Sequence, residues 1–173
     1  FSKAVEKRKF VFPNDHGPHP DFRTEWWYFT GNLTTDINRK FGYQFTIFRT
    51  ALTKEKSVRN SDWNSNQIYM AHFAVTDIDD NNFYFDEKFS REANNLAGAQ
   101  ANPFKVWLED WQIIQTEDRS AFDLPVMSLK AKSEKTEIDF KLESVKPLAL
   151  QGEEGLSQKG KQPGNASYYY SYT

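Results

Sequence analysis

Apolar and polar positions alternate along most of this chain with a period of two, the spacing that sets one face of a strand in a core and the other towards solvent. Over residues 25–33 the alternation places Trp26, Tyr28 and Thr30 opposite Trp27, Phe29 and Gly31, so rings stand on both faces. A strand of that kind fits a small barrel, one side in the lumen and the other covered from outside. Residues 41–52 carry the pattern on, with Tyr43, Phe45, Ile47 and Arg49 opposite Gln44, Thr46, Phe48 and Thr50. The polar turn 34–40 makes the two a hairpin. Residues 67–78 set Tyr69, Ala71, Phe73 and Val75 opposite Met70, His72, Ala74 and Thr76, and after Asp79-Asp80-Asn81-Asn82 a fourth strand covers 83–89.

Residues 91–102 are richer in alanine and read as a short helix or a long loop, ended at Asn102-Pro103. A single fifth strand is predicted over 106–116, and further strands over 122–131 and 136–145. Residues 146–165 are rich in Gly, Pro and Lys and read as a connector, after which Tyr168 to Tyr172 begins another strand pattern. Strands in succession with turns between them and almost no helical period predict an all-β fold, an antiparallel lipocalin-like barrel or closed sandwich. The domain is expected over 1–150. Residues 151–173 then make a linker and the first strand of a second barrel unit, so the polypeptide is expected to continue.

Composition narrows the function. Aromatic residues make up 16% of the chain, in keeping with strands that pack rings on a pleated surface. A net charge of −2 provides no basic stripe for nucleic acid. Cysteine is absent, which removes disulfides, thiolate nucleophiles and thiolate metal sites while leaving the compartment open. A periplasmic or secreted location is expected, with the cytoplasm still open, and no segment has the roughly 18 apolar residues of a membrane helix. There is no Gly-x-Ser-x-Gly elbow, phosphate-cradling loop or dinucleotide fingerprint, and no cofactor is expected.

The densest chemistry lies in residues 12–33. Residues 1–11 read as a solvated, charge-alternating arm; residues 14–23, with Pro18, Pro20 and Gly17, form a stiff loop carrying Asp15, His16, His19 and Asp21. Such side chains can ligate a metal, but loop hydrogen bonding that plugs the barrel mouth is favoured and no metal is expected. Glu25 beside Trp26 and Trp27 is the candidate catalytic acid, because apolar surroundings raise a carboxyl pKa. The competing and favoured role for Glu25 is an ion pair with Arg23 or Arg49. His72 reads as a core histidine or, with Gln44, Thr46 and Thr76, as a lumen-facing polar group. Trp26, Trp27, Tyr28, Gln44, Thr46, Arg49 and His72 are the candidate ligand-binding residues.

Phe12-Pro13, Asp15-His16 and His19-Pro20, followed by Arg23-Thr24-Glu25-Trp26-Trp27-Tyr28 with Thr30-Gly31 and then Gly42-Tyr43-Gln44-Phe45-Thr46 with Phe48-Arg49, resemble the family of AttH-like proteins and carotenoid 1,2-hydratases (hydroxyneurosporene synthases). Weaker matches run on through Ala71-His72-Phe73-Ala74, residues 107–111 and residues 164–170. The resemblance implies a two-unit lipocalin-like protein of which this chain is the first barrel and the start of the second. Relatives include alkene hydratases, and fungal proteins of similar fold guide cycloadditions of polyenes; no catalytic residue carries over. Together with the two-faced aromatic strand, it implies binding of a hydrophobic small molecule of isoprenoid or polyene type. The alternatives are a cofactor-independent enzyme, a lyase of the alkene-hydratase type or an isomerase or cyclase, and a cell-envelope interaction domain without activity.

Overall fold

Strict alternation of half-buried and exposed positions over Thr24–Thr34 makes this segment, β1, the edge of a four-stranded meander. Its neighbours are β2 (Lys40–Ala51), β3 (Gln67–Asp77) and β4 (Asn82–Arg91), each antiparallel to the one before. The structure is a computed structural model and describes residues 1–54, 64–117 and 124–172. The predicted loop 53–66 and the start of the strand expected over 122–131 fall partly outside the described residues.

Register decides which residues meet. Directly paired residues share a face, so the inner rows across this sheet run Glu25, Arg49, Tyr69, Ser90; Trp27, Ile47, Ala71, Lys88; Phe29, Phe45, Phe73, Asp86; and Gly31, Tyr43, Val75, Tyr84. Gly31 belongs in the last row for a steric reason. A Cβ there would stand 2.9 Å from Tyr43 Cε1.

A five-stranded antiparallel meander follows: β5 (Ala97–Ala101), β6 (Phe104–Leu108), β7 (Trp111–Glu117), β8 (Val126–Lys132) and β9 (Glu137–Leu142). One core lies between the sheets. Phe45, Ile47, Tyr69, Ala71 and Phe73 from the first pack on Val106, Leu108, Trp111, Ile113, Met127 and Leu129 from the second. Trp111, fully buried, joins the halves: its ring meets Phe45 and Phe73, and its indole N–H donates to the Lys132 carbonyl at 2.8 Å. A buried indole is stable only with such a partner.

Among the described residues the chain is therefore all-β, antiparallel in its ladders and lipocalin-like in kind, although its hydrogen bonding runs as two large sheets and two small two-stranded ones and not as a closed ring. Four segments differ from expectation, the connector 146–165 among them, since it contains two short strands, Ala149–Leu150 and Leu156–Gln158. Residues 91–102 are neither helix nor loop throughout, since β5 occupies their second half. Residues 106–116 are not one strand: Glu109, at φ 57°, turns the chain into a hairpin. The arm 1–11 is not wholly solvated, because Ala4 is buried, Ser2 bridges Phe22, and Arg8 reaches Asp15.

Near the end of the described chain, β10 (Ala149–Leu150) pairs with β13 (Tyr170–Ser171), and β11 (Leu156–Gln158) pairs with β12 (Ala166–Tyr168). These ladders bring the tyrosine run back over the first loop, where Tyr170 and Tyr172 pack on His16.

Candidate functional site

A cavity of about 760 Å³ opens where the loop 14–23, the edge strand β1, the end of β9 and the tyrosine run converge. That volume is in the range of small-molecule pockets. Phe10, Trp27, Phe29, Phe104, Tyr170 and Tyr172 are among its rings, and Met127 and Leu142 add aliphatic surface.

The loop is held by a charged network. A single turn of 3-10 helix, Asn14–His16, directs Asp15 inwards. One Asp15 oxygen accepts from Arg8 and, at 2.8 Å, from His19 Nε2; the other accepts from the Val11 N–H. Burial opposes ionisation of Asp15, but these donors outweigh it and hold the carboxyl below its ordinary value of 3.8. His19 donates through Nδ1 to Glu25 at 2.5 Å. An imidazole that donates from both nitrogens is protonated, and the hydrogen bond to Glu25 raises the pKa of His19 first of all, against the cost of burial.

Glu25 also accepts from the His19 backbone N–H at 2.9 Å and from Arg49 Nε at 3.1 Å. Arg49 is sealed; its Nη1 donates to Gln67 Oε1 and its Nη2 to the carbonyls of His19 and Phe22. The set consists of two carboxylates against two guanidiniums and an imidazolium, with each carboxylate hydrogen-bonded from several sides. A buried charge needs partners of that kind. The partner weighed for Glu25 is thus Arg49 and not Arg23, joined by His19. With both ring nitrogens committed to carboxylates, His19 has no lone pair for a metal.

His16 is the opposite case. Burial holds its pKa down from 6.5 to about 4, so the ring is neutral at pH 7. Nδ1 lies 2.9 Å from the Tyr170 hydroxyl, which is 3.0 Å from the Asp15 carbonyl. The Trp27 indole donates to the His16 carbonyl at 2.9 Å. Phe12 lies over the imidazole at 4.6 Å between centroids.

The candidate acid Glu25 lines the cavity, and of the residues expected to bind a ligand Trp26, Trp27 and Tyr28 do so too. Trp26 and Tyr28 do so from the outer side of the edge strand and are also exposed to solvent. Gln44, Thr46 and His72 lie elsewhere, because the register that turns Phe45 and Tyr69 inwards turns them onto the opposite face. His72 is neither core nor lumen: it is 41% exposed, 4.0 Å from Glu87, with its ring near Phe48. Arg49 lies behind the wall as the anchor of Glu25. Arg8 and Tyr170 were not foreseen, and His16 was weighed only as a metal ligand or loop anchor, since their shared position depends on long-range contacts such as that between His16 and Tyr170, 154 residues apart.

Two sheets around one core, with a single-chain network bracing a large aromatic cavity at the open edge, define a lipocalin-like β-protein. The family model for AttH-like proteins matches residues 3–173, and the chain belongs to that family. A crystal structure from Nitrosomonas europaea described as AttH is 32% identical to it, with a TM-score of 0.78 over 98% of this chain and 48% of that one. The chain therefore spans about half the length of that protein. Comparison with curated proteins gives no match.

Proposed function

We propose that the protein binds an apolar small molecule of isoprenoid or polyene type in the cavity between the loop 14–23 and the tyrosine run. The observation that carries this reading is the cavity itself, about 760 Å³ and walled by Trp27, Phe29, Phe104, Tyr170 and Tyr172. Apolar walls with a few fixed polar groups favour a ligand that is mostly hydrocarbon. The test is titration with retinol, a fluorescent polyene, followed by native mass spectrometry. Saturable one-to-one binding that Phe29→Ala weakens by about tenfold or more supports the reading, a loss of the size expected for one buried ring. No binding of retinol or of the matching hydrocarbon removes it.

A second reading, an alkene hydratase or cyclase, is favoured by one observation: Glu25 lines the cavity beside Trp27 and is hydrogen-bonded to protonated His19. A proton delivered from this pair to an alkene would leave a cation for the Trp27 ring to stabilise. Glu25→Gln in the full-length protein should then abolish addition of water to, or cyclisation of, a polyene while leaving thermal unfolding cooperative. Turnover unchanged in that variant ends the assignment. For the whole polypeptide we propose a second lipocalin-like unit as partner and a periplasmic or secreted setting. The double length of the Nitrosomonas relative motivates the partner.

A further inference from the structure

The polar group that reads the ligand can be deduced from how the protons of one buried cluster must be arranged. Tyr170 has a single hydroxyl proton and two neighbours within hydrogen-bond distance, the Asp15 carbonyl at 3.0 Å and His16 Nδ1 at 2.9 Å. The carbonyl can only accept. Both contacts are satisfied together in one arrangement alone: Tyr170 donates to Asp15, and His16 Nδ1 carries the proton and donates to the Tyr170 oxygen. The imidazole is neutral, so Nε2 is left with its lone pair.

Among the described residues that lone pair has no partner. The one hydrogen bond of the His16 side chain among them is through Nδ1; Asp15 acts on the ring through its charge alone, and the other neighbours are the rings of Phe12, Phe104, Tyr170 and Tyr172. Nor is Nε2 sealed from solvent: among the described residues the sealed, partnerless side-chain atoms are Arg8 Nε, Thr46 Oγ1 and Ser167 Oγ. His16 is 5% exposed, and the cavity it lines is the space to which that remaining surface opens. An unsatisfied acceptor in an aromatic wall is costly unless a donor fills it.

We infer that His16 Nε2 accepts a hydrogen bond from a hydroxyl group of the bound ligand, so that the cavity selects apolar alcohols over the corresponding ethers and carboxylates. An ether brings no proton. A carboxylate brings only lone pairs, and would meet the lone pair of Nε2. Tyr170 acts as a positioning residue, fixing the tautomer through Asp15. This inference deepens the proposed function and rests on it.

Retinol, retinyl methyl ether and retinoic acid, titrated in parallel into the full-length protein, separate the two. Retinol should bind about tenfold more tightly than its methyl ether, the worth of one hydrogen bond to an otherwise unpaired buried group, and retinoic acid should bind less well than retinol. His16→Phe should bring the alcohol and the ether together. Tyr170→Phe, which keeps the ring but frees the tautomer, should reduce the alcohol-to-ether ratio without abolishing ether binding. Equal affinities for alcohol and ether in the unaltered protein overturn the role of His16 and leave the apolar cavity standing. Failure of all three ligands to bind overturns both. The ratio in the unaltered protein decides the matter even if a variant does not fold.

Discussion

Two histidines three positions apart in one loop are driven to opposite protonation states. His16, surrounded by rings, is held neutral with a pKa of about 4; His19, gripped by Glu25 and Asp15, is raised above 6.5. The signs of their pH dependence are opposite too. The contribution of His16 to stability is full above pH 6.5 and is lost as pH falls towards 4, because the unfolded chain takes up a proton that the folded ring refuses; the gap corresponds to about 3 kcal/mol. The contribution of His19 is full below pH 6.5 and is lost as pH rises through its elevated folded value. Denaturant midpoints measured from pH 4 to 9 should therefore fall less steeply on the acid side in His16→Phe and less steeply on the alkaline side in His19→Gln. An acid limb unchanged by His16→Phe would contradict the buried neutral ring. At this scale the sequence made Glu25 and Arg49 conspicuous, because lone charges on apolar strand faces require partners. It gave no such sign for Arg8, which looked like one more charge in a polar arm, or for Tyr170, whose partner His16 is 154 residues away.

Among the elements, β1 to β4 were legible because a period-two pattern runs through most of each and polar turns separate them. The pair β6 and β7 was not, although the reason is visible afterwards. Inward residues fall at Val106 and Leu108 but then at Trp111 and Ile113, so the phase changes across the Glu109-Asp110 turn. A single strand would have put Trp111 on the solvent side, and the largest fully buried side chain of the core would have been exposed. The loop 14–23 depends on a close approach of the same kind: a Cβ on Gly17 would stand 2.5 Å from the Ala101 Cβ and 2.6 Å from its Cα. Backbone on one side and a strand on the other leave nothing flexible to move. Gly17→Ala should cost roughly 1–3 kcal/mol by overpacking and weaken retinol binding as the loop is pushed from β5. Full stability and affinity in that variant would show that the loop is free to shift.

At the scale of the molecule the first sheet has an unusual outside. The rows behind its core run Trp26, Phe48, Met70, Phe89 and Thr30, Gln44, Ala74, Phe85, and Phe83, Phe85 and Phe89 are each more than 60% exposed. On β4 the usual order is inverted, since Asp86, Lys88 and Ser90 face inwards and the phenylalanines face out. Lys88 is stabilised there by Glu109 and Asp110 and by the face of Trp111. Contiguous apolar surface of this kind marks a contact face, and we propose that the second unit covers it. Replacing Phe83, Phe85 and Phe89 together by Ser in the full-length protein should then lower its unfolding midpoint well beyond the change of about 0.5 kcal/mol per site typical of solvent-facing positions. A change no larger than that would mean the face lies open. The sequence by itself determined the fold class and the family, because strand periodicity and local motifs are properties of neighbouring residues. Only the tertiary structure decided which face of each strand is inside, that Glu25 is braced by Arg49 and His19, and that His16 keeps a lone pair at the wall of the cavity. Those outcomes depend on register, turn phase and long-range contacts, which no short stretch of chain contains.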